Sequence, residues 1–257
     1  MQLMVGDLYK HMDKIKDLID NRIIGLMLFG SSIYELEQRI EEFKDFDICW
    51  VSLGQWELME KYILSKISKE LKITFDTAEV ENPIRFEIQR RLPRLEEFLS
   101  RPSNNFHITM RHPSISKLRK VIGSDIEDRY ISKIVYAEDI CPAQAFCVSF
   151  PLFITCLWTL GANKIVLFGA DGNSNSIDTY FHPEEVAIEK KIANNESYNL
   201  TGDSGWTASG FPKIVEQLEI ERNKKFPEII NCSEKSVHSL WQKKSYSETI
   251  KWLEENK

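Results

Sequence analysis

The stretch Lys164-Ile165-Val166-Leu167-Phe168-Gly169-Ala170-Asp171-Gly172 constrains this chain more than any other. Its apolar residues run without alternation, then stop at a glycine, a small residue, an acid and a second glycine. A short unbroken apolar run fits a strand buried on both faces, as in a parallel sheet. The Gly-x-Asp-Gly then sets a carboxylate at the carboxyl edge, where open α/β sheets bind ligands. Asp-Gly and Gly-Asn are also ordinary turn dipeptides, so Asp171 reads either as a site acid or as part of a turn.

The segment ahead of this run imitates a membrane span, because Ala145 to Ala162 carries no charge. Ser149, Pro151, Thr155 and Thr159 interrupt it, and Gly161-Ala162-Asn163-Lys164 leads directly into the apolar run. A buried helix, a glycine-containing loop and a buried strand make an ordinary αβ unit.

The same alternation extends along the chain. An amphipathic helix is predicted to about Asn21, with Leu8, Met12, Ile15, Leu18 and Ile19 on one side. Ile23 to Phe29 reads as a strand ending in Gly30-Ser31-Ser32, and Ser32 with Glu35 has the spacing of a capping box opening a helix. Asp47 to Ser52 is a second strand, broken by Gly54 ahead of a helix from Gln55 to Ile67. Leu71 to Phe75, Asn105 to Met110, Ile134 to Ala137 and Glu228 to Cys232 are further strands. Helices are expected from Pro83 to about Leu99, from Pro183, over Phe211 to Lys225 and from Ser247 to Glu255. Alternating strands and helices imply α/β: a doubly wound, mostly parallel Rossmann-like sheet with helices on both faces. No Pro-rich linker occurs, so one domain over 1–257 is expected, with a mobile loop or lid near 173–210.

Composition excludes some classes. At 257 residues, 42% apolar and 28% charged, the chain can bury a core without disulfides. A net charge of −6 does not suggest a nucleic-acid binder. Arg85, Arg90, Arg91, Arg94 and Arg101 read as a basic patch or as a solvated face balanced by Glu87, Glu96 and Glu97. The five cysteines form no CxxC pair and suggest buried thiols in a reducing compartment, not a zinc site. The charged amino terminus is not a signal peptide, so a cytoplasmic protein without a transmembrane segment is expected.

A parallel sheet would gather Gly30-Ser31-Ser32, Ser52 to Gln55, Asp171-Gly172-Asn173 and Asn231-Cys232-Ser233 at one edge. Backbone N–H groups near Ser31 and Ser32 suit a phosphate, and Asp171 suits a ribose hydroxyl or a divalent ion. The candidate nucleotide-binding residues are Gly30, Ser31, Ser32, Gly54, Asp171, Gly172, Asn173, Asn231 and Ser233. His182 reads either as a general base or as a residue that caps the helix opened by Pro183 or packs beside Phe181. Tyr180 and Tyr198 either donate to a leaving phosphate or pack, and His107 and His112 read as structural. No Gly-x-Ser-x-Gly elbow and no HExxH helix occurs.

Four pieces resemble the superfamily of bacterial lipooligosaccharide sialyltransferases and the related proteins that include archaeal hydroxymethylpterin diphosphokinase. They are Leu28 to Ser32, Phe46 to Cys49 with the Ser52–Trp56 turn, Ile165 to Gly172, and Ile230 to Ser236. The resemblance implies a Rossmann-like sheet with Gly30, Ser31 and Ser32 under donor phosphates and Asn231 to Ser233 near the donor. Asp171 matches the family's Gly-x-Asp. The family's catalytic histidine would fall within 199–210, which contains none, so the resemblance leaves Asp203 or His182 for that role, or catalysis lost.

The expected function is therefore a nucleotide-sugar-dependent glycosyltransferase of the sialyltransferase-like type in surface-glycan biosynthesis. Its partners would be a nucleotide or nucleotide-sugar donor and a small-molecule or glycan acceptor. One alternative is a magnesium-dependent diphosphokinase with Mg2+ on Asp171; another is a noncatalytic nucleotide- or glycan-binding protein.

Overall fold

The unbroken apolar runs form strands. Ile23–Met27 (β1), Ile48–Leu53 (β2), Ile73–Asp76 (β3), Phe106–Thr109 (β4), Ile134–Tyr136 (β5), Lys164–Phe168 (β6) and Glu228–Asn231 (β7) all fall within predicted positions or one residue beyond them. The sequence did not predict Gln242–Lys243 (β8), since two exposed polar residues carry no periodic signal. This computed structural model describes residues 5–28, 30–54, 56–76, 95–109, 129–141, 149–171, 223–233 and 241–257, and also 181, 215–216, 219–220 and 236.

The longer helices are Val5–Ile19 (α1), Ile33–Arg39 (α2), Trp56–Tyr62 (α3), Ser149–Thr159 (α4) and Tyr246–Glu255 (α5), with one short turn of helix over Ala137–Ile140. The helix expected over Gln55 to Ile67 divides into α3 and a tighter turn over Leu64–Ile67, closed by Ser68 at φ 54°. Residues 95–100 are helical, and the rest of the helix expected from Pro83 lies outside the described residues, as do Arg85 to Arg94. So do most of the elements expected between Pro183 and Lys225.

The chain divides into two compact units. The first comprises Met1–Asn21 and Leu71–Ala162. In it β3, β4 and β5 run parallel, with Thr74 level with His107. Phe75 stacks on Phe153 of α4 at 4.7 Å. Leu152 to Trp158 are buried, so α4 is a core helix. Among the described residues no helix is long and apolar enough to cross a membrane.

The second unit comprises Arg22–Glu70 and Asn163–Lys257. Its strand order is β2-β1-β6-β7-β8, and every pairing is parallel. β1 has β2 on one side and β6 on the other, so strand order reverses between β1 and β6. Right-handed crossovers leaving that point in opposite directions put their helices on opposite faces, the doubly wound α/β arrangement.

Aromatic residues fill this unit's core. Phe43, Trp50, Phe168 and Tyr246 are all nearly or fully buried, with ring centroids 5.6 to 6.5 Å apart. Gly25 lies level with Trp50 in the ladder, and a β-carbon there would meet the indole at 2.7 Å. The glycine makes room for the tryptophan. Arg39 lies over the Tyr246 ring at 5.6 Å and donates to Ser247 at 3.0 Å, tying α5 to α2.

Candidate functional site

Register aligns the strand ends of the second unit. Met27 is level with Ser52 on one side and Phe168 on the other, and Leu167 is level with Asn231. The loops after β1, β2, β6 and β7 therefore leave one edge at nearly one height. The β1–β6 contact continues past the strands: Leu28 donates to the Phe168 carbonyl at 2.8 Å and Gly30 to the Gly169 carbonyl at 3.0 Å. Two glycines permit this approach. Gly169 has φ +73°, and a β-carbon on it would strike the Leu28 carbonyl. A β-carbon on Gly30 would meet the Gly169 carbonyl oxygen at 2.5 Å.

Asp171 stands where these loops meet, 5% exposed. Its Oδ2 accepts from the Ser32 backbone N–H at 2.9 Å and from Ser31 Oγ at 3.3 Å. Its Oδ1 accepts from Ser32 Oγ and from Ser233 Oγ. A carboxylate offers about four acceptor positions. All four are taken by neutral donors of the chain, which offsets the cost of burying the acid.

This corrects one local expectation. The Ser32 hydroxyl does not cap α2; Ser32 has helical dihedrals (φ −62°, ψ −17°), and its side chain is committed to Asp171. The remaining N–H groups of the turn are mostly used internally, Ile33 bonding the Gly30 carbonyl, Tyr34 that of Ser31 and Glu35 that of Ser32. The Ser31 N–H is the donor of this turn left without an acceptor among the described residues.

Asn231 is fully buried and its Oδ1 accepts from the Ser233 N–H at 3.0 Å. Its Nδ2 is buried with no acceptor among the described residues. Gly54 (φ +65°) leaves the same edge, and its carbonyl accepts from Ser52 Oγ at 2.9 Å. Gly30, Ser31, Ser32, Asp171 and Ser233 are thus in direct contact, Asn231 adjoins them through Ser233, and Gly54 shares only the edge. Gly172, Asn173, His182 and Asp203 lie outside the described residues, as do Tyr180 and Tyr198.

Phe181 is described within the 173–210 segment. It is fully buried, 4.8 Å from Tyr34 and 6.1 Å from Tyr62 between ring centroids.

Sequence reasoning missed the support beneath the turn. The Tyr246 hydroxyl donates to the Ser32 carbonyl at 3.5 Å, and the Cys232 thiol lies 2.9 Å from the Thr249 hydroxyl. Burial pushes the Cys232 thiol up to about 12, with the Thr249 hydrogen bond acting against it. Burial likewise raises the Tyr246 phenol above its ordinary range, and the neighbouring Cys232 (once ionised), Glu35 and Asp171 add to this. Both are neutral near pH 7 and serve as packing groups, not nucleophiles. No sequence signal marks Tyr246, whose role depends on α5 docking.

The other polar clusters are structural. His107 Nδ1 lies 2.9 Å from Thr74 Oγ1, both buried, in keeping with its expected role. Cys49, Cys141, Cys156 and Cys232 are buried thiols outside any disulfide, as expected, and Cys147 lies outside the described residues. Arg101 lies over the Phe98 ring at 5.2 Å.

Magnesium on Asp171 does not fit this geometry. A cation would face four inward-pointing donors and would have to displace them from both carboxylate oxygens. Among the described residues no group of three or more His, Cys, Asp or Glu side chains could hold a metal ion.

No protein-family profile matches the chain, and no curated protein does. A solved structure is similar to it: the sialyltransferase CstII from Campylobacter jejuni in complex with a substrate analogue, CMP-3FNeuAc. The TM-score is 0.54 at 14% identity, covering 86% of this chain and 85% of that one. The likeness is one of fold.

Proposed function

We propose that this chain is a nucleotide-sugar-dependent glycosyltransferase of the sialyltransferase-like type, acting in surface-glycan biosynthesis. The observation that carries the reading is the placement of a small, polar, glycine-bearing cluster at the strand-order reversal, on a fold shared with an enzyme that binds a CMP-sugar analogue. The donor phosphate lies over the Gly30–Ser32 turn, with the open Ser31 N–H among its contacts. Asn231, Ser233, Gly54, Gly172 and Asn173 complete the donor side.

In the reaction an acceptor hydroxyl oxygen attacks the anomeric carbon, the bond from that carbon to the phosphate oxygen breaks, and a base takes the hydroxyl proton. Donors fixed in advance around the departing phosphate lower the barrier. His182 and Asp203 are the candidate bases. The lack of a histidine in 199–210 favours a second reading, a binding protein without catalysis.

Thermal-shift titration with CMP, UDP, GDP and ATP, each with and without magnesium, tests the reading. A shift with CMP or a nucleoside diphosphate that is unaffected by magnesium is expected, together with release of CMP from a CMP-sugar. Loss of that release in His182→Ala with nucleotide binding retained would assign the base. Binding without release or transfer would leave the noncatalytic reading, and a shift only with ATP and magnesium would overturn both.

A further inference from the structure

We infer that Asp171 is a positioning residue: its carboxylate is the shared acceptor that fixes the Gly30–Ser32 turn to Ser233, and it does not itself touch the bound molecule. The geometry is specific. One buried carboxylate joins the ends of β1, β6 and β7 through residues 139 and 62 positions away in sequence. It uses every acceptor site it has, so none remains for a ribose hydroxyl. It also consumes the Ser32 N–H and three serine hydroxyls that would otherwise compete for a phosphate. The turn so held keeps the Ser31 N–H open.

The ligand half of this inference rests on the transferase reading, and the latch itself does not. If Asp171 acts through the turn, its loss should weaken recognition of the phosphate and leave recognition of the nucleoside alone. A direct contact with the ribose would weaken both equally. A structural role unrelated to binding would change neither.

The experiment compares wild type, Asp171→Asn, Ser233→Ala and the double variant in two measurements. Competition binding gives affinities for CMP and for cytidine. Asp171→Asn is expected to weaken CMP about tenfold while cytidine stays within about twofold; equal losses for both, or no loss for CMP, would overturn the positioning role. Urea unfolding of the four proteins supplies a double-mutant cycle. Strong non-additivity between Asp171→Asn and Ser233→Ala is expected, and additive losses would overturn the latch. Failure of the wild type to bind CMP, UDP or GDP would sink the transferase reading and the ligand half together, and the unfolding cycle would still decide the latch. Ser233→Ala, which leaves the acid in place, keeps the inference open to test if Asp171→Asn folds poorly.

Discussion

A β-carbon built on Gly30 would lie 2.7 Å from Cγ of Asp171, closer than real side-chain contacts allow. The glycine and the acid occupy one space at the crossing of two strand ends. Gly30→Ala is therefore expected to destabilise the protein by about 1–3 kcal/mol through overpacking. Gly169→Ala is expected to cost more, because the new methyl also forces an L side chain into φ +73°. Urea midpoints measure both; a Gly30→Ala midpoint equal to wild type would show that the strand ends do not approach this closely.

Gly25 and Trp50 make a second complementary pair. Trp50→Ala should cost about 3–5 kcal/mol, as for a large buried aromatic. Gly25→Ala should also destabilise, and combining it with Trp50→Leu should recover part of the loss, because the smaller side chain removes the clash with the indole and leaves only that with Ile48. Calorimetry on the single and double variants gives the answer, and simple additivity would count against the packing described.

Alkaline pH should weaken the second unit. An unfolded thiol titrates near its ordinary value of 9.0, whereas burial holds Cys232 up to about 12. Between those values the unfolded chain has already lost the proton that the folded chain keeps, so stability falls as pH rises. The contribution is intact below the lower value. Tyr246 acts in the same direction at higher pH. Unfolding midpoints of wild type should therefore decline above about pH 9, and Cys232→Ala should flatten part of that decline. An identical slope in the variant would refute the assignment.

Lys133 closes the helical segment ahead of β4 in the first unit. Its Nζ donates to the Arg101 carbonyl, to the Ser103 carbonyl at 3.2 Å and to Asn105 Oδ1 at 2.9 Å. Burial holds its pKa below the usual lysine value. Lys133→Met keeps most of the stem but leaves these acceptors unpaired, at an expected cost of about 1–3 kcal/mol. Hydrogen exchange should rise around residues 99–105 before it rises in β4; uniform exchange across both would argue against a local clasp.

Two serine–glutamate pairs show where sequence reading reaches its limit. Ser32 with Glu35 and Ser245 with Glu248 have the same spacing. Only the second is a capping box, with Ser245 N–H bonding Glu248 Oε2 at 2.8 Å and Glu248 N–H bonding Ser245 Oγ. Ser32 has a competing acceptor in Asp171, which a local pattern cannot reveal. Asp171 itself was legible as an acid at a sheet edge, and its neighbours Gly30, Ser31, Ser32 and Ser233 were legible as strand ends. That these groups bond one another was not.

The sequence by itself determined seven of the eight described strands, the parallel α/β class and the edge at which polar residues gather. Burial on both faces writes itself into consecutive residues, so those features can be read locally. The tertiary structure alone decided what Asp171 does with its four acceptor positions, why Gly25 must be glycine and how Tyr246 supports Ser32. Hydrogen bonds and close packing depend on atoms brought within about 3 Å of one another by strand register, and residues far apart in the chain carry no local record of that encounter.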